Sequence, residues 1–167
     1  IIISTLSVTP ERAKVIDFSK PYAALQSVVG CLKSLDVKGW DDLKGKTIAV
    51  SRGTTQDTTL TNMKERNLTL SRYEDDATMV TAAVSGQADC VATSATIVSQ
   101  IGVKAPARVF EPKVSITNFD LAIGVKKGEP KLLEKLDAWV EQNLKNGKLN
   151  AIYKKFHGTE LPANMRG

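Results

Sequence analysis

The chain has 167 residues, 42 % hydrophobic and 25 % charged, proportions that argue for a folded globular protein and against disorder. Lys and Arg (23) exceed Asp and Glu (18) by only five, and the lysines are scattered, which argues against a nucleic-acid surface. One histidine, His157, excludes a histidine-rich metal site, two cysteines cannot close a zinc site, and no stretch reaches the roughly 18 apolar residues of a membrane span.

The chain opens on Ile1-Ile2-Ile3-Ser4-Thr5-Leu6, a buried-strand pattern with no polar lead-in; the expectation is that it begins inside a longer protein. Thr9 is placed to cap a one-turn helix with Pro10 in its first position. Asp17 to Tyr22 reads as an ordered loop, since Pro21 biases its neighbour away from helix. Strands are predicted at Gln26–Lys33 and Thr47–Ser51, separated by a helical turn at Trp40–Leu43 that ends at Gly45. A turn at Arg52–Gln56 then leads into a polar helix ending near Arg66. Another strand follows at Leu68–Tyr73. Asp76 is expected to cap a helix that buries Ala77, Val80, Ala83 and Val84 and stops at Gly86. A strand at Ala88–Ala92, a helix at Ser94–Ile101 and a strand at Phe119–Val125 come next. Two tail helices, Pro130 to Gly147 and onward to Gly158, carry apolar stripes that read as core packing. Strands alternating with helices predict an α/β fold with a mostly parallel sheet.

Cys31 and Cys90 fall in two of these strands. They read as buried thiols acting as small apolar residues, with a disulfide open to them if the strands adjoin.

Two segments carry chemistry. Ser4 to Arg12 puts hydroxyls and backbone N–H groups at a strand's carboxyl end, where ligands of open α/β sheets bind. Arg12, one helical turn on, can offer a planar fork to a carboxylate, or pair with Glu11 or Asp17 at the surface. Val50 to Gln56 runs from a strand through Gly53 into Thr54 and Thr55. That places an anion-holding helix N-terminus there, or a plain N-cap; the spacing and lysine of a Walker loop are missing.

Thr9-Pro10-Glu11-Arg12-Ala13-Lys14 followed by Asp17-Phe18-Ser19-Lys20-Pro21-Tyr22 resembles the signature of the family 3 solute-binding proteins of bacterial ABC transporters. Asp42 to Val50, Gly53-Thr54-Thr55, Gly86-Gln87-Ala88-Asp89 and Leu144 to Leu149 resemble the same family in the same order, so the likeness covers nearly the whole chain. It implies a type II periplasmic-binding fold of two lobes joined by a two-strand hinge. Residues 27–117 would form lobe 2, and 1–26 with 118–167 a partial lobe 1, lacking roughly 60 upstream residues, two βαβ units at about 30 each. The resemblance further implies that Arg12 grips a ligand α-carboxylate, that Thr55 with Thr54 completes the grip from the other lobe, and that Thr5 and Ser7 offer backbone and hydroxyl groups. The family's ammonium-binding aspartate falls on Ser94, a departure for which Asp120 is the candidate substitute. Arg52, beside the anion-binding turn, is the candidate for pairing with an acidic ligand side chain.

The implied function is capture of a polar amino acid with ligand-induced closure, and delivery to an ABC transporter permease. The protein would be a periplasmic or lipid-anchored monomer without cofactor, metal or catalysis. A cyclohexadienyl or arogenate dehydratase-like enzyme on the same scaffold, or a receptor's sensing domain, are the alternatives. His157, in the polar C-terminal region, is expected to be exposed.

Overall fold

The structure, a computed structural model, describes residues 1–166. Its helices and strands run in the order α1 (Pro10–Ala13), β1 (Ile16–Phe18), β2 (Ala23–Leu32), β3 (Thr47–Ser51), α2 (Thr55–Asn62), β4 (Thr69–Tyr73), α3 (Asp76–Ser85), β5 (Cys90–Ser94), α4 (Ala95–Lys104), β6 (Phe110–Leu121), β7 (Gly124–Lys126), α5 (Pro130–Lys145) and α6 (Lys148–His157). They divide into two compact units, Ile1–Leu25 with Asn118–Gly167, and Gln26–Thr117. The changeovers fall inside β2 and β6.

The second unit is built on a five-stranded sheet of order β4-β3-β5-β2-β6. β3 runs parallel to both β4 and β5, whereas β2 is antiparallel to β5, so the sheet is mixed. Helix α3 joins the parallel strands β4 and β5, as a βαβ crossover requires. Apolar side chains alternate to both faces of the sheet. Val28, Val91, Met79, Ala83, Val98 and Ile101 form one core layer. Val29, Ile48, Val50, Leu43, Leu60 and Ala92 form the other. Gly30 is required where α4 crosses β2, because a Cβ there would lie 2.5 Å from Val98 Cγ1.

The cysteines are paired. Cys31 and Cys90 stand directly opposite each other in the β2–β5 ladder and form a disulfide. Adjacency of the strands, which local sequence does not reveal, decides against two independent thiols.

In the first unit, β1 and β7 form a two-stranded antiparallel sheet. Ala23, Leu121, Leu161 and Met165 form its core, with Leu144, Leu149 and Tyr153 packed against it. Tyr153 also donates its hydroxyl to the Ala24 carbonyl at 2.8 Å. Ser19 ties the signature loop to the β6–β7 connection: its hydroxyl accepts from Ile123 N–H at 3.0 Å.

Several sequence expectations are corrected. Residues 1–6 form no regular strand; among the described residues the segment is held by an isolated bridge from Ile2 to Gly124, by the Leu6 carbonyl accepting from Ala122 N–H at 3.3 Å and by the Ser4 carbonyl accepting from the Tyr22 hydroxyl, and Ile1 and Ile3 are 68 % and 67 % exposed. Asp17 and Phe18, the first residues of the expected loop, pair instead in β1. Asp75 rather than Asp76 caps α3, accepting from Thr78 N–H at 2.8 Å, so the buried face shifts to Met79, Ala82 and Ala83. β6 begins at Phe110, nine residues before the apolar run that announces it, because alternating polar residues mask its first half. His157 is half-buried, stacked on Tyr153 with ring centroids 4.2 Å apart, and desolvation lowers its pKa.

The disulfide closes a loop with a sequence separation of 59 residues. Its reduction is expected to cost about 2–4 kcal/mol of stability through the freed unfolded chain. Urea unfolding with and without reductant checks this, and an unchanged midpoint would contradict it.

Candidate ligand-binding site

In the second unit the parallel register sets Val50 beside Ala92, so β3 and β5 end at the same edge of the sheet. Each strand feeds a helix there: β3 turns into α2, and β5 runs directly into α4. Such carboxyl ends are where open α/β sheets take ligands. Gly53, at φ +72°, makes the turn into α2. Thr54 is the N-cap: its hydroxyl accepts from Asp57 N–H at 3.2 Å and donates to the Ser51 carbonyl at 2.8 Å. Gly53 N–H donates to Asp57 Oδ2 at 3.0 Å. Among the described residues no acceptor takes the N–H groups of Thr55 and Gln56 in this first turn, which also carries the positive end of the helix dipole.

Thr54 thus fills the plain capping role, and Thr55 is the first residue of α2. Ser94 is the N-cap of α4, accepting from Ile97 N–H at 3.3 Å, and is buried. Ser27 stands opposite it in the ladder, with a buried hydroxyl that has no hydrogen-bond partner among the described residues. Arg52 is fixed by its backbone N–H, donated to the Tyr73 carbonyl at 2.8 Å; its side chain is exposed.

Two residues of this region escaped the sequence reading. Asp57 Oδ1 accepts from Arg72 Nε at 2.8 Å, and Arg72 also donates to Thr61 Oγ1 at 2.8 Å. An acid three residues after a threonine N-cap is a recognisable helix-start signal for Asp57. Nothing local marks Arg72, which comes from β4.

In the first unit Thr9 caps α1, accepting from Arg12 N–H at 3.2 Å. Arg12 is half-buried and donates from one guanidinium nitrogen to the Ser7 carbonyl at 2.9 Å. Among the described residues no carboxylate pairs with it. Asp17 is engaged elsewhere, with Lys127 Nζ at 3.0 Å and Gly128 N–H at 3.2 Å, and the Lys127 hydrogen bond leads in holding its carboxyl below the usual value. Ser7 is buried and bridges to Leu121, and Val8 N–H donates to the Asp120 carbonyl at 2.9 Å. The structure therefore brings Ser7, Arg12 and Asp120 onto adjoining segments, with the Asp120 side chain exposed. Thr5 lines an apolar pocket of about 160 Å³ with Tyr22, Tyr153 and Phe156. Among the described residues no cluster of metal-ligating side chains occurs, and no helix is long and apolar enough to cross a membrane.

The second unit is an open α/β sheet whose strands feed helix N-termini, an arrangement in which such sheets take ligands. Residues 1–159 match the family model of bacterial extracellular solute-binding proteins, family 3, and the chain belongs to that family. It is 24 % identical over 163 residues to the L-cystine-binding protein of Escherichia coli, covering 96 % of this chain and 61 % of that protein. Among solved structures, the arginine-, lysine-, histidine-binding protein of Geobacillus stearothermophilus superposes with a TM-score of 0.79 at 26 % identity, over 96 % of this chain and 70 % of that one. An ancestral amino acid-binding protein, a precursor of cyclohexadienyl dehydratase, superposes at 0.77 with 28 % identity, over 92 % and 66 %. These likenesses bear out the type II periplasmic-binding fold. The chain spans 56–61 % of the length of the first curated relatives it matches.

Burial alone would raise the Asp57 carboxyl, but the Gly53 N–H and the Arg72 guanidinium outweigh it and hold the group below its usual value. A carboxyl lowered on folding adds stability above its unfolded pKa, near 3.8, and loses it as pH falls through the folded value. Asp57→Asn is therefore expected to flatten the acid limb of stability against pH, read by thermal melts across the acid range.

Proposed function

We propose that the protein to which this chain belongs captures a polar amino acid outside the cytoplasm and delivers it to an ABC transporter permease. The observation that carries this reading is Arg12: its fork is fastened through the Ser7 carbonyl, and no carboxylate of the described chain neutralises it. A carbonyl orients a guanidinium without cancelling its charge, which leaves the fork competent for a ligand carboxylate. In the second unit, the Thr55 and Gln56 N–H groups offer an independent anion-recognising element. Family membership and relatives named for cystine and for arginine, lysine and histidine support an amino acid as the solute.

Ser94, Thr54, Thr5, Ser7 and Asp120 take accessory roles. Ser94 accepts one bond from α4 and keeps its hydroxyl proton to donate. Asp120, exposed and carrying a formal charge, is the residue for a ligand ammonium. No cofactor enters this reading. The disulfide fits an oxidising compartment, periplasmic or lipid-anchored outside the membrane. The dehydratase alternative draws on the likeness to the dehydratase precursor; product formed from a cyclohexadienyl acid would establish it.

With a panel of L-amino acids, thermal shift is expected to find at least one that stabilises the protein. Arg12→Ala should abolish that shift while lowering the unliganded melting temperature by no more than about 4 °C, the size expected for losing one part-buried hydrogen bond; a retained shift would overturn the assignment. Arg52→Ala tests ligand choice. If Arg52 reads an acidic side chain, the variant loses preference for glutamate and aspartate over neutral amino acids; unchanged preference removes it from the site.

A further inference from the structure

We infer that Arg72 and Asp57 form a charge brace that sets the anion affinity of the turn at the head of α2, an inference that rests on the amino-acid-capture reading. Asp57 is the third residue of α2, so its carboxylate sits in the first turn, where the dipole favours an anion. Left alone, it would place a fixed negative charge beside the Thr55 and Gln56 N–H groups and oppose any incoming carboxylate. Two contacts redirect it. Oδ2 takes the Gly53 N–H at 3.0 Å, and Oδ1 takes Arg72 Nε at 2.8 Å.

Arg72 is itself held from a second side, because it donates to Thr61 Oγ1, whose hydroxyl donates to the Asp57 carbonyl at 2.7 Å. The Asp57 side chain is 12 % exposed and that of Arg72 35 %, so the carboxylate is withdrawn from water while the guanidinium keeps part of its hydration. The carboxylate is thereby neutralised from the β4 side while it shapes the turn through Gly53. Arg72 and Asp57 are positioning residues: they act on the ligand through the geometry and charge of the turn.

The test uses the full-length protein to which this chain belongs and two independent readouts. Carboxyl NMR titration and amide exchange need no ligand. Arg72→Met should raise the Asp57 titration and accelerate exchange at Gly53 several-fold, while Arg72→Lys should keep most of the wild-type behaviour. Calorimetry with L-arginine, L-glutamine and L-cystine reads affinity. Arg72→Met should weaken the bound amino acid about tenfold, the size of a partly buried charge acting on a helix end. Asp57→Asn alone should bind at least as well as wild type, and the Arg72→Met/Asp57→Asn double variant should recover most of the loss. Unchanged titration and exchange in Arg72→Met would overturn the brace. A loss of affinity that Asp57→Asn does not rescue would overturn its electrostatic role. Wild-type protein that binds no amino acid would sink the capture reading, and titration with exchange would still decide the brace.

Discussion

The parallel register of β3 against β5 is the constraint on which the second unit depends. Ile48 pairs with Cys90, Ala49 with Val91 and Val50 with Ala92, so the two strands finish level and both deliver helix N-termini to one edge. Side-chain alternation makes that register unforgiving. A slip of one residue would turn Cys90, Ala92 and Ser94 to the opposite face, breaking both the apolar layers and the pairing of Cys90 with Cys31. The disulfide lies at the amino end of β5 and Ser94 at its carboxyl end, the two ends of a five-residue strand. One end of β5 is locked covalently, and the other is where polar backbone groups are offered.

The two units offer positive charge by different physics. A helix N-terminus offers partial charges on N–H groups whose directions are set by the backbone, so its precision comes from the turn that starts the helix. Gly53 and Asp57 do that setting for α2. An arginine offers full charge on a flexible stem, and its precision comes from whatever restrains the stem. For Arg12 the restraint is twofold: Thr9 fixes the helix that carries it, and the Ser7 carbonyl fixes one edge of the fork.

Much of this was legible in the sequence because it is written in local chemistry. Thr9-Pro10, Gly53-Thr54-Thr55, Gly86 and Gly147 each impose a backbone conformation on their own neighbourhood, and those boundaries fall where turn and capping rules put them. The failures share a different cause. Residues 1–6 carry strand chemistry but form an isolated bridge rather than a ladder, so composition predicts an element that pairing does not complete. Asp75 and Asp76 are equivalent as cap formers, and only the Thr78 hydroxyl reaching back to Asp75 separates them. The disulfide and the Arg72–Asp57 contact join residues brought together by strand order, which no window of sequence contains.

Arginine shows why residue type alone under-determines role. Arg72 gives its fork to Asp57, and Arg108 gives its own to Asp89, Ala83 and Ala88, where it binds the end of α3 to the start of β5. In both, a carboxylate of the chain takes the fork, so neither arginine offers it to a ligand. Arg52 has charge to offer but an exposed, unrestrained side chain, so ordering it on a ligand costs rotamer entropy of up to about 2 kcal/mol. Arg12 alone among these four is restrained by a neutral acceptor, which fixes direction and leaves charge uncancelled. That combination, rather than the presence of an arginine after a strand, is what makes a carboxylate its natural partner.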